Sequence, residues 1–320
     1  MRAVVLNQFG PPSELVSAEL PDPLPGPGQV VVAVEAASIT FVETQIRAGH
    51  PPHPSMSPAL PVVLGNGVGG VVAAVGADVD ASLTGRRVVT TTGGSGGYAE
   101  QVVVQAADLI DVPAGLAMCD ATAVLADGRT ALALTDAAAI RAGDVVLVEA
   151  AAGGVGSLLV QLAGRAGATV VAAAGGSRKL AVAAGLGAEI LADYTAVDWA
   201  DRVREQVGHV DVVFDGVGGA VALAAFGLLR DGGRCCTFGM ASGEFAWISD
   251  EAAESRRITV LRGMPVSPER MRDLSRRALD AVASGALRPV IGQTFPLTAA
   301  SYAHAAIEAR TTIGKTLLLV

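Results

Sequence analysis

The central part of the chain alternates between short apolar runs and amphipathic stretches. Residues 145–148 form an uninterrupted Val/Leu run, which is typical of a parallel strand covered on both faces. Apolar residues then recur at helical spacing, at Val155, Leu158, Leu159 and Leu162. A second apolar run over residues 169–174 follows. The pattern therefore predicts a strand-helix-strand unit.

More units of this kind follow along the chain. The pattern predicts helices over residues 118–140, with a break near Gly128, and over 179–185, 199–207, 219–229 and 269–283. It predicts strands over residues 189–191, 210–214, 234–238 and 258–261. Strands and helices that alternate in this way indicate an α/β fold built on a doubly wound parallel sheet.

The two ends of the chain have a different pattern. From residue 1 to about residue 112, short apolar strands are separated by turn residues, which predicts a β domain with little helix. The apolar strand over residues 316–320 must also pair, and the central sheet already has its strands. We therefore expect a discontinuous β-rich domain, residues 1–120 and 288–320, around an α/β domain, residues 121–287.

Composition and charge narrow the classes of function. The 320-residue chain is 51% hydrophobic but only 4% aromatic, so its cores are built from small aliphatic side chains. A formal net charge of −8 argues against nucleic acid or an anionic membrane as principal partner. Three cysteines are too few for a disulfide framework, and neither a signal peptide nor a membrane helix is recognisable. We expect a cytoplasmic protein.

A glycine pattern follows the first central strand. Ala151-x-Gly153-x-x-Gly156 is a dinucleotide-binding fingerprint with alanine at its first position. Gly153 would let a pyrophosphate approach the backbone, Gly156 would let the helix pack closely, and the helix N-terminus would attract the negative charge. The alternative is an ordinary glycine-bearing loop, but the strand-helix-strand context favours dinucleotide binding.

The end of the second strand indicates which dinucleotide is bound. An NAD-preferring protein would carry Asp or Glu there to bind the ribose hydroxyl. This chain has no carboxylate at that point and continues with Ser177, Arg178 and Lys179, which suit a 2′-phosphate. The sequence therefore predicts NADPH as cofactor. The alternative is that Arg178 and Lys179 only begin a solvated helix.

Several other residues attract attention but receive no catalytic role. His50 and His53 have a spacing that could hold a metal, but their proline-rich surroundings predict a loop. We expect Cys235 and Cys236 to be buried, Tyr98 to be a packing residue with a satisfied hydroxyl, and His209 and His304 to be exposed. Asp211 and Asp215 flank an apolar strand, which gives little support to paired acid/base chemistry.

Short motifs along nearly the whole chain resemble those of one family. They are residues 37–49, Leu64-Gly-Asn-Gly-Val-Gly-Gly70, Gly85-Arg-Arg-Val88, Gly97-Tyr-Ala-Glu100, residues 150–156, Phe214-Asp-Gly-Val-Gly-Gly219, Phe238-Gly239 and Gly314-Lys-Thr-Leu317. In this order they resemble the medium-chain dehydrogenase/reductase superfamily, and within it the zinc-free NADPH:quinone oxidoreductase branch.

The resemblance implies a GroES-like β-rich domain, a Rossmann domain with a doubly wound parallel sheet, and a cleft between them for the nicotinamide. It also implies a homodimer joined through edge strands of the cofactor domains. The cofactor-binding residues implied by the resemblance are Thr40, Thr130, Gly153, Gly154, Val155, Ser177, Arg178, Lys179, Tyr194, Val217, Phe238, Gly239 and Lys315.

The chain departs from the family pattern at several positions. Gly65-Asn66-Gly67 stands where zinc-dependent relatives have Gly-His-Glu, so we expect no metal. The family's frequent Asn and Tyr near the nicotinamide appear as Thr40 and Gln45, and Glu43 stands where Asp is frequent. No catalytic residue is assigned, and Thr40, Asn66 and Thr130 are candidates for positioning the reactants.

These observations predict metal-free hydride transfer from NADPH to a quinone or related electron-poor carbonyl. A quinone needs no strong general acid, because delocalisation stabilises the oxyanion that forms. One alternative is reduction of an enone or enoyl thioester, which needs a proton donor for the α-carbon. Another is an NADPH-binding protein with negligible turnover, and zinc-dependent alcohol oxidation ranks last.

Overall fold

The computed structural model describes residues 1–263 and 267–320. The strands are β1 (Arg2–Leu6), β2 (Leu15–Glu19), β3 (Gln29–Ile39), β4 (Val62–Val63), β5 (Gly67–Val75), β6 (Arg87–Thr91), β7 (Gln101–Gln105), β8 (Ile110–Asp111), β9 (Val145–Glu149), β10 (Thr169–Ala174), β11 (Ile190–Asp193), β12 (Val210–Asp215), β13 (Leu229–Thr237), β14 (Thr259–Arg262), β15 (Ile291–Pro296) and β16 (Lys315–Leu319). The helices are α1 (Phe41–Ala48), α2 (Met118–Ala138), α3 (Gly154–Arg165), α4 (Ser177–Gly185), α5 (Trp199–Val207), α6 (Gly219–Leu228), α7 (Asp250–Ser255), α8 (Pro268–Ala283) and α9 (Ala300–Glu308). Within the described ranges, every helix falls short of the length or apolarity that a membrane crossing requires.

The chain divides into two compact units. The first consists of residues 1–126 and 275–320, and the second of residues 127–274. In the first unit one sheet has the strand order β15-β16-β3-β5-β6-β8, with β7 also paired to β3, and a smaller sheet has the order β2-β1-β4. Strand β16 pairs antiparallel with β3, where Leu317 lies opposite Ser38. The carboxyl-terminal strand thus shares a sheet with the amino-terminal strands.

Small aliphatic side chains fill the core of the first unit. Val30 and Val32 of β3 and Val68 of β5 are buried together with Leu64 and Leu318. Successive strand residues point to opposite faces, so the residues of β3 at every second position reach this core. The core positions follow from the apolar pattern of the strands themselves.

A helix interrupts the region that was expected to be almost entirely β. Helix α1 begins after Thr40, and the Glu43 side chain accepts a hydrogen bond from the Thr40 N–H at 2.6 Å. This is a capping box, which satisfies donors at the helix N-terminus that would otherwise lack partners. The helix ends at Gly49, whose φ of 84° suits glycine. The Thr-x-x-Glu signal was present in the sequence.

The second unit is built on a parallel sheet with the order β11-β10-β9-β12-β13-β14. Each neighbouring pair in it is parallel. Strand β12 is buried along its whole length, and its core neighbours include Leu147, Val171 and Trp199. The sheet confirms the predicted α/β class and the doubly wound Rossmann arrangement. The chain order reverses direction between β9 and β12.

Two elements differ from the pattern-based prediction. Helix α2 continues through Gly128, because one glycine costs a helix only about 1 kcal/mol and burial of Val124, Leu125 and Leu134 outweighs that. Strand β13 begins at Leu229 rather than at residue 234. Its first half contains Gly232 and Gly233, which read as a turn in the sequence, and its pairing with β12 has a register shift there.

Candidate functional site

The carboxyl ends of the parallel strands lie at one edge of the sheet in the second unit. Strands β9, β10, β11, β12 and β13 end at Glu149, Ala174, Asp193, Asp215 and Thr237. The loops and helix starts after these ends carry Gly153, Gly154, Val155, Ser177, Arg178, Lys179, Tyr194, Val217, Phe238 and Gly239. Ligands of open α/β sheets bind at this edge, near the point where the strand order reverses. Thr130 lies apart from these loops in the sequence, within α2.

The glycine turn after β9 has no room for side chains. A Cβ at Gly156 would collide with the carbonyl group of Ala150, and a Cβ at Gly154 would collide with the Asp127 carboxylate. Ala150 has a left-handed φ of 46°, which marks a tight turn. Gly153 is the N-cap of α3, so the first N–H groups of that helix begin directly after the turn. The geometry fits close approach of a pyrophosphate to the backbone.

The turn after β10 presents polar and cationic side chains at the start of α4. Ser177 and Arg178 are exposed and Lys179 is half-buried. Gly176 has a φ of 87°, and its N–H donates to the Asp193 carboxylate at 3.1 Å. The ring of Tyr194 lies against the same turn, 3.3 Å from where a Cβ of Gly175 would be.

Asp193 is a carboxylate near the cationic turn that the sequence pattern did not indicate. It ends β11, opposite Ala174 of β10. Its Oδ1 accepts from the Thr195 hydroxyl at 2.7 Å, from the Thr195 N–H at 3.0 Å and from Gly176. The Thr195 hydroxyl is the main cause that lowers the pKa of Asp193. This carboxylate therefore shapes the turn that carries the cations.

The loops after β12 and β13 pack backbone against backbone. The Asp215 carbonyl accepts from the Phe238 N–H at 2.9 Å and from the Gly239 N–H at 3.2 Å. A Cβ at Gly239 would lie 2.9 Å from the Gly216 Cα, and a Cβ at Gly216 would lie 2.8 Å from the Phe238 ring. The structure thus brings Val217, Phe238 and Gly239 together. We call these packed loops, residues 216–218 and 238–239, the Val217 corner.

Two carboxylates are buried beneath that corner. Glu149 and Asp215 are fully buried at the ends of the adjacent strands β9 and β12. Glu149 Oε2 accepts from the Val217 N–H at 3.1 Å, and Asp215 Oδ1 accepts from the same N–H at 3.2 Å and from Gly218 at 2.8 Å. Burial raises the pKa of both, that of Glu149 well above its usual range. Sequence analysis missed Glu149, whose signal was an acid ending an apolar strand.

In the first unit, Thr40, Asn66 and Lys315 meet around one buried carboxylate, that of Glu43. Its Oε2 accepts from the Thr40 N–H and, at 3.1 Å, from the Thr40 hydroxyl, while Oε1 accepts from the Asn66 N–H at 2.8 Å. Burial raises the pKa of Glu43, and the attraction of the buried Lys315 opposes this. Glu43 therefore fixes Thr40 and the Asn66 backbone by hydrogen bonds.

Tyr98 and His304 form a buried pair beside Glu43. The Tyr98 hydroxyl lies 3.0 Å from His304 Nε2, which confirms that Tyr98 is a packing residue with a satisfied hydroxyl. Burial raises the pKa of Tyr98, and the Glu43 charge adds to that. The expectation that His304 is exposed was wrong, because α9 packs its Ala300, Ala303 and His304 into the core. Burial lowers the His304 pKa to about 3, so its ring is neutral.

The remaining candidates for metal or redox chemistry have other surroundings. Asn66 Oδ1 accepts from the Gly94 N–H at 2.9 Å, and His53 Nδ1 lies 2.7 Å from the Ser55 hydroxyl of its own loop. Among the described residues, no group of three or more His, Cys, Asp or Glu could hold a metal ion. Cys235 and Cys236 are buried as expected, and burial raises the pKa of the Cys236 thiol to about 12. The side chains around Asn66 in the described part of the chain do not offer a donor set that fits zinc.

Comparisons with known proteins agree with this architecture. Residues 26–114 match the alcohol dehydrogenase GroES-like domain, and residues 186–318 match the zinc-binding dehydrogenase family. A 2-haloacrylate reductase of Burkholderia sp is 33% identical over 332 residues, covering 99% of this chain and 98% of the relative. A quinone oxidoreductase of Sus scrofa is 30% identical, covering 100% and 98%. The chain belongs to the quinone oxidoreductase family of medium-chain dehydrogenases/reductases.

A solved structure of the same family has the same fold along the whole chain. The quinone oxidoreductase of Escherichia coli, solved in complex with NADPH, superposes with a TM-score of 0.91 and 28% identity, covering all of both chains. The GroES-like domain and the Rossmann domain expected for this quinone oxidoreductase family member are confirmed.

Removing the Tyr98 hydroxyl should destabilise the first unit. In Tyr98→Phe, His304 Nε2 loses its partner, and His304 Nδ1 already has none in the described structure. A buried polar group without a partner costs about 1–3 kcal/mol, so the free energy of unfolding in urea should fall by that amount. Tyr302→Phe is the control because Tyr302 is 73% exposed. Equal effects of the two substitutions would contradict a structural role for the pair.

Proposed function

We propose that the chain reduces a quinone or a related electron-poor unsaturated carbonyl with NADPH. The observation that carries this is the carboxyl edge of the parallel sheet, where a turn without side-chain room lies beside a turn that bears cations. NADPH supplies a hydride from its nicotinamide when bound. The chain's own residues bind the cofactor, orient the acceptor and exclude water.

The pyrophosphate would lie at the N-terminus of α3. Gly153, Gly154 and Val155 form the start of this helix, whose first N–H groups and positive dipole favour phosphate oxygens. Collisions that a Cβ would cause at Gly154 and Gly156 support this assignment, because they explain why the turn is glycine. The Asp127 carboxylate beside Gly154 is a constraint on how the phosphates can lie.

The 2′-phosphate would lie at the start of α4. Ser177 can donate a hydroxyl, and Arg178 and Lys179 can supply charge-assisted hydrogen bonds. The exposed positions of Ser177 and Arg178 support this role, and Tyr194 lies against the same turn. Asp193 is engaged by Gly176 and Thr195.

Each unit, taken by itself, carries candidates for the nicotinamide end. In the second unit these are Val217, Phe238, Gly239 and Thr130, and in the first unit they are Thr40 and Lys315. The fixed geometry of the Val217 and Phe238 loops supports the first group. The hydrogen bonds around Glu43 support Thr40, since a side chain held by its neighbours loses little entropy on binding.

Hydrogen-bond donors would be sufficient for a quinone. Thr130 and Asn66 are the candidates to donate to its oxygen, and the oxyanion that forms can take a proton from water. Reduction of an electron-poor carbon-carbon double bond is the second candidate, because a 2-haloacrylate reductase is 33% identical along the chain. That reaction needs a proton at the α-carbon, and Gln45 stands where a tyrosine would serve.

We also propose a homodimer in the cytoplasm. Strand β14 lies at one edge of the parallel sheet and is paired there only with β13 among the described strands. An open edge presents N–H and C=O groups that a second copy can pair with. The three cysteines are free, which is consistent with a reducing compartment.

Lys179→Ala should weaken NADPH binding and leave NADH binding nearly unchanged, because only NADPH carries the 2′-phosphate. The lost contact is worth about 1–3 kcal/mol, which is roughly a 5- to 150-fold rise in the Kd for NADPH. Calorimetric titration with both cofactors measures this. An equal loss for NADPH and NADH would overturn the assignment. The variant leaves Lys315, the other lysine among the predicted cofactor-binding residues, unchanged.

A panel of acceptors tests the reaction itself. NADPH absorbance should fall in stopped-flow experiments with small quinones, and 2-haloacrylate with simple enones forms the second arm of the panel. Turnover with quinones alone supports the first candidate, and turnover with enones alone supports the second. Tight NADPH binding without turnover of any compound would show a binding protein and reject both.

The assembly is tested by sedimentation. We expect a species of about twice the 32.1 kDa chain mass. Val260→Pro in β14 removes a backbone donor and should weaken pairing of this edge more than Val260→Thr, the β-compatible control. A monomer in the unmodified protein, or a dimer that both variants leave intact, would contradict pairing through β14.

A further inference from the structure

Glu149 and Asp215 occupy the point of the sheet where the strand order reverses. They are the last residues of β9 and β12, the two strands that flank this point. Both are fully buried, and their side chains are close enough to hydrogen-bond to each other. The sequence did not indicate Glu149, and Asp215 lies in one of the family motifs but received no catalytic role there.

The hydrogen bonds of the pair have an unusual pattern. Each carboxylate uses one oxygen for the turn above it: Glu149 Oε2 for Val217, and Asp215 Oδ1 for Val217 and Gly218. The other two oxygens, Glu149 Oε1 and Asp215 Oδ2, are buried without a hydrogen-bond donor. Two buried acceptors of this kind are costly unless a proton lies between them.

The surroundings offer little positive charge to compensate two anions. Within residues 1–263 and 267–320, neither carboxylate takes part in an ion pair. Burial raises the pKa of the Cys235 thiol on β13, and the charges of Asp215, Cys236 and Glu149 add to this. Arg262 at the end of β14 acts on Cys235 in the opposite sense. A buried pair of like charges without a cation retains one proton.

We propose that Glu149 is a positioning residue that carries one proton at neutral pH and donates it to Asp215. The pair as a unit then has a single negative charge, and this charge is spread over the N–H groups of Val217 and Gly218. The turn is held in one conformation by acceptors on two different strands. The part of this proposal that concerns cofactor geometry rests on the proposed function, since Val217 would contact the nicotinamide end.

The proton makes the turn dependent on pH in a defined direction. The pKa of Glu149 in the folded protein is raised above the unfolded value of about 4.5, with burial as the larger cause and Asp215 as the second. The folded state therefore binds more protons than the unfolded state above pH 4.5, and stability falls as pH rises through the folded pKa. Glu149→Gln removes this loss, because an amide keeps one donor and one acceptor without ionising.

Infrared spectroscopy of the folded protein tests the proton directly. The difference spectrum of wild type minus Glu149→Gln, recorded in heavy water at neutral pH, should contain the carbonyl band of a protonated carboxylic acid. Glu205→Gln is the control, because Glu205 is exposed on α5 and should give only a carboxylate band. A carboxylate band from Glu149 would overturn the proposal, whatever the cofactor turns out to be.

Thermal unfolding between pH 5 and pH 9 is the second readout. The Tm of Glu149→Gln minus that of wild type should increase steadily with pH, whereas the same difference for Glu205→Gln should stay flat. A constant or decreasing difference for Glu149→Gln would contradict the shared proton. If this variant does not fold, the unmodified protein still carries the test, since an infrared spectrum without any protonated acid at neutral pH would overturn the shared proton.

Cofactor titration separates the positioning role from the proposed function. Glu149→Ala removes an acceptor from Val217 and should raise the Kd values of NADPH and NADH by the same factor, about tenfold for one hydrogen bond. Glu149→Gln should restore both. If neither nucleotide binds the wild-type protein, the proposed function fails while the infrared result stands. If Glu149→Ala binds both as wild type does, the positioning role fails.

Discussion

The parallel hydrogen bonding of one sheet is the constraint on which the candidate site depends. Because β9 to β13 run in the same direction, all their carboxyl ends meet at one edge, and loops that are far apart in sequence become neighbours. The glycine turn, the cationic turn and the Val217 corner are adjacent for this reason. The topology of the sheet therefore determines where the site lies, and the side chains determine what it binds.

Much of the fold could be predicted from periodicity alone. The uninterrupted apolar run at residues 145–148 and the helical spacing after it predicted a buried parallel strand and its crossover helix, and both are present. Helix α1 was missed because its eight residues make only about two helical turns, which is short for recognising a period, although Thr40 and Glu43 formed a recognisable capping box. The start of β13 was missed because Gly232 and Gly233 resemble a turn. The local sequence favours a turn there, and the pairing of β13 with its neighbouring strands, which the local sequence does not reveal, outweighs that preference.

The candidate site could be predicted only in part. Gly153 and Gly156 follow from a fingerprint in which each glycine has a steric reason, and the collisions around them supply that reason. Glu149 and His304 could not be found in the same way. Their roles depend on burial and on partners distant in sequence, such as Asp215, which no short pattern encodes. Buried polar networks are tertiary properties.

The contact between Gly216 and Gly239 has a mechanical consequence. Since neither residue has a Cβ, the backbones of two separate loops touch directly, and no flexible side chain lies between them to absorb a displacement. A ligand that pushes on Phe238 must therefore move Val217 as well, so both loops respond to one load. The two glycines therefore link the loops at the carboxyl ends of the neighbouring strands β12 and β13 through direct backbone contact.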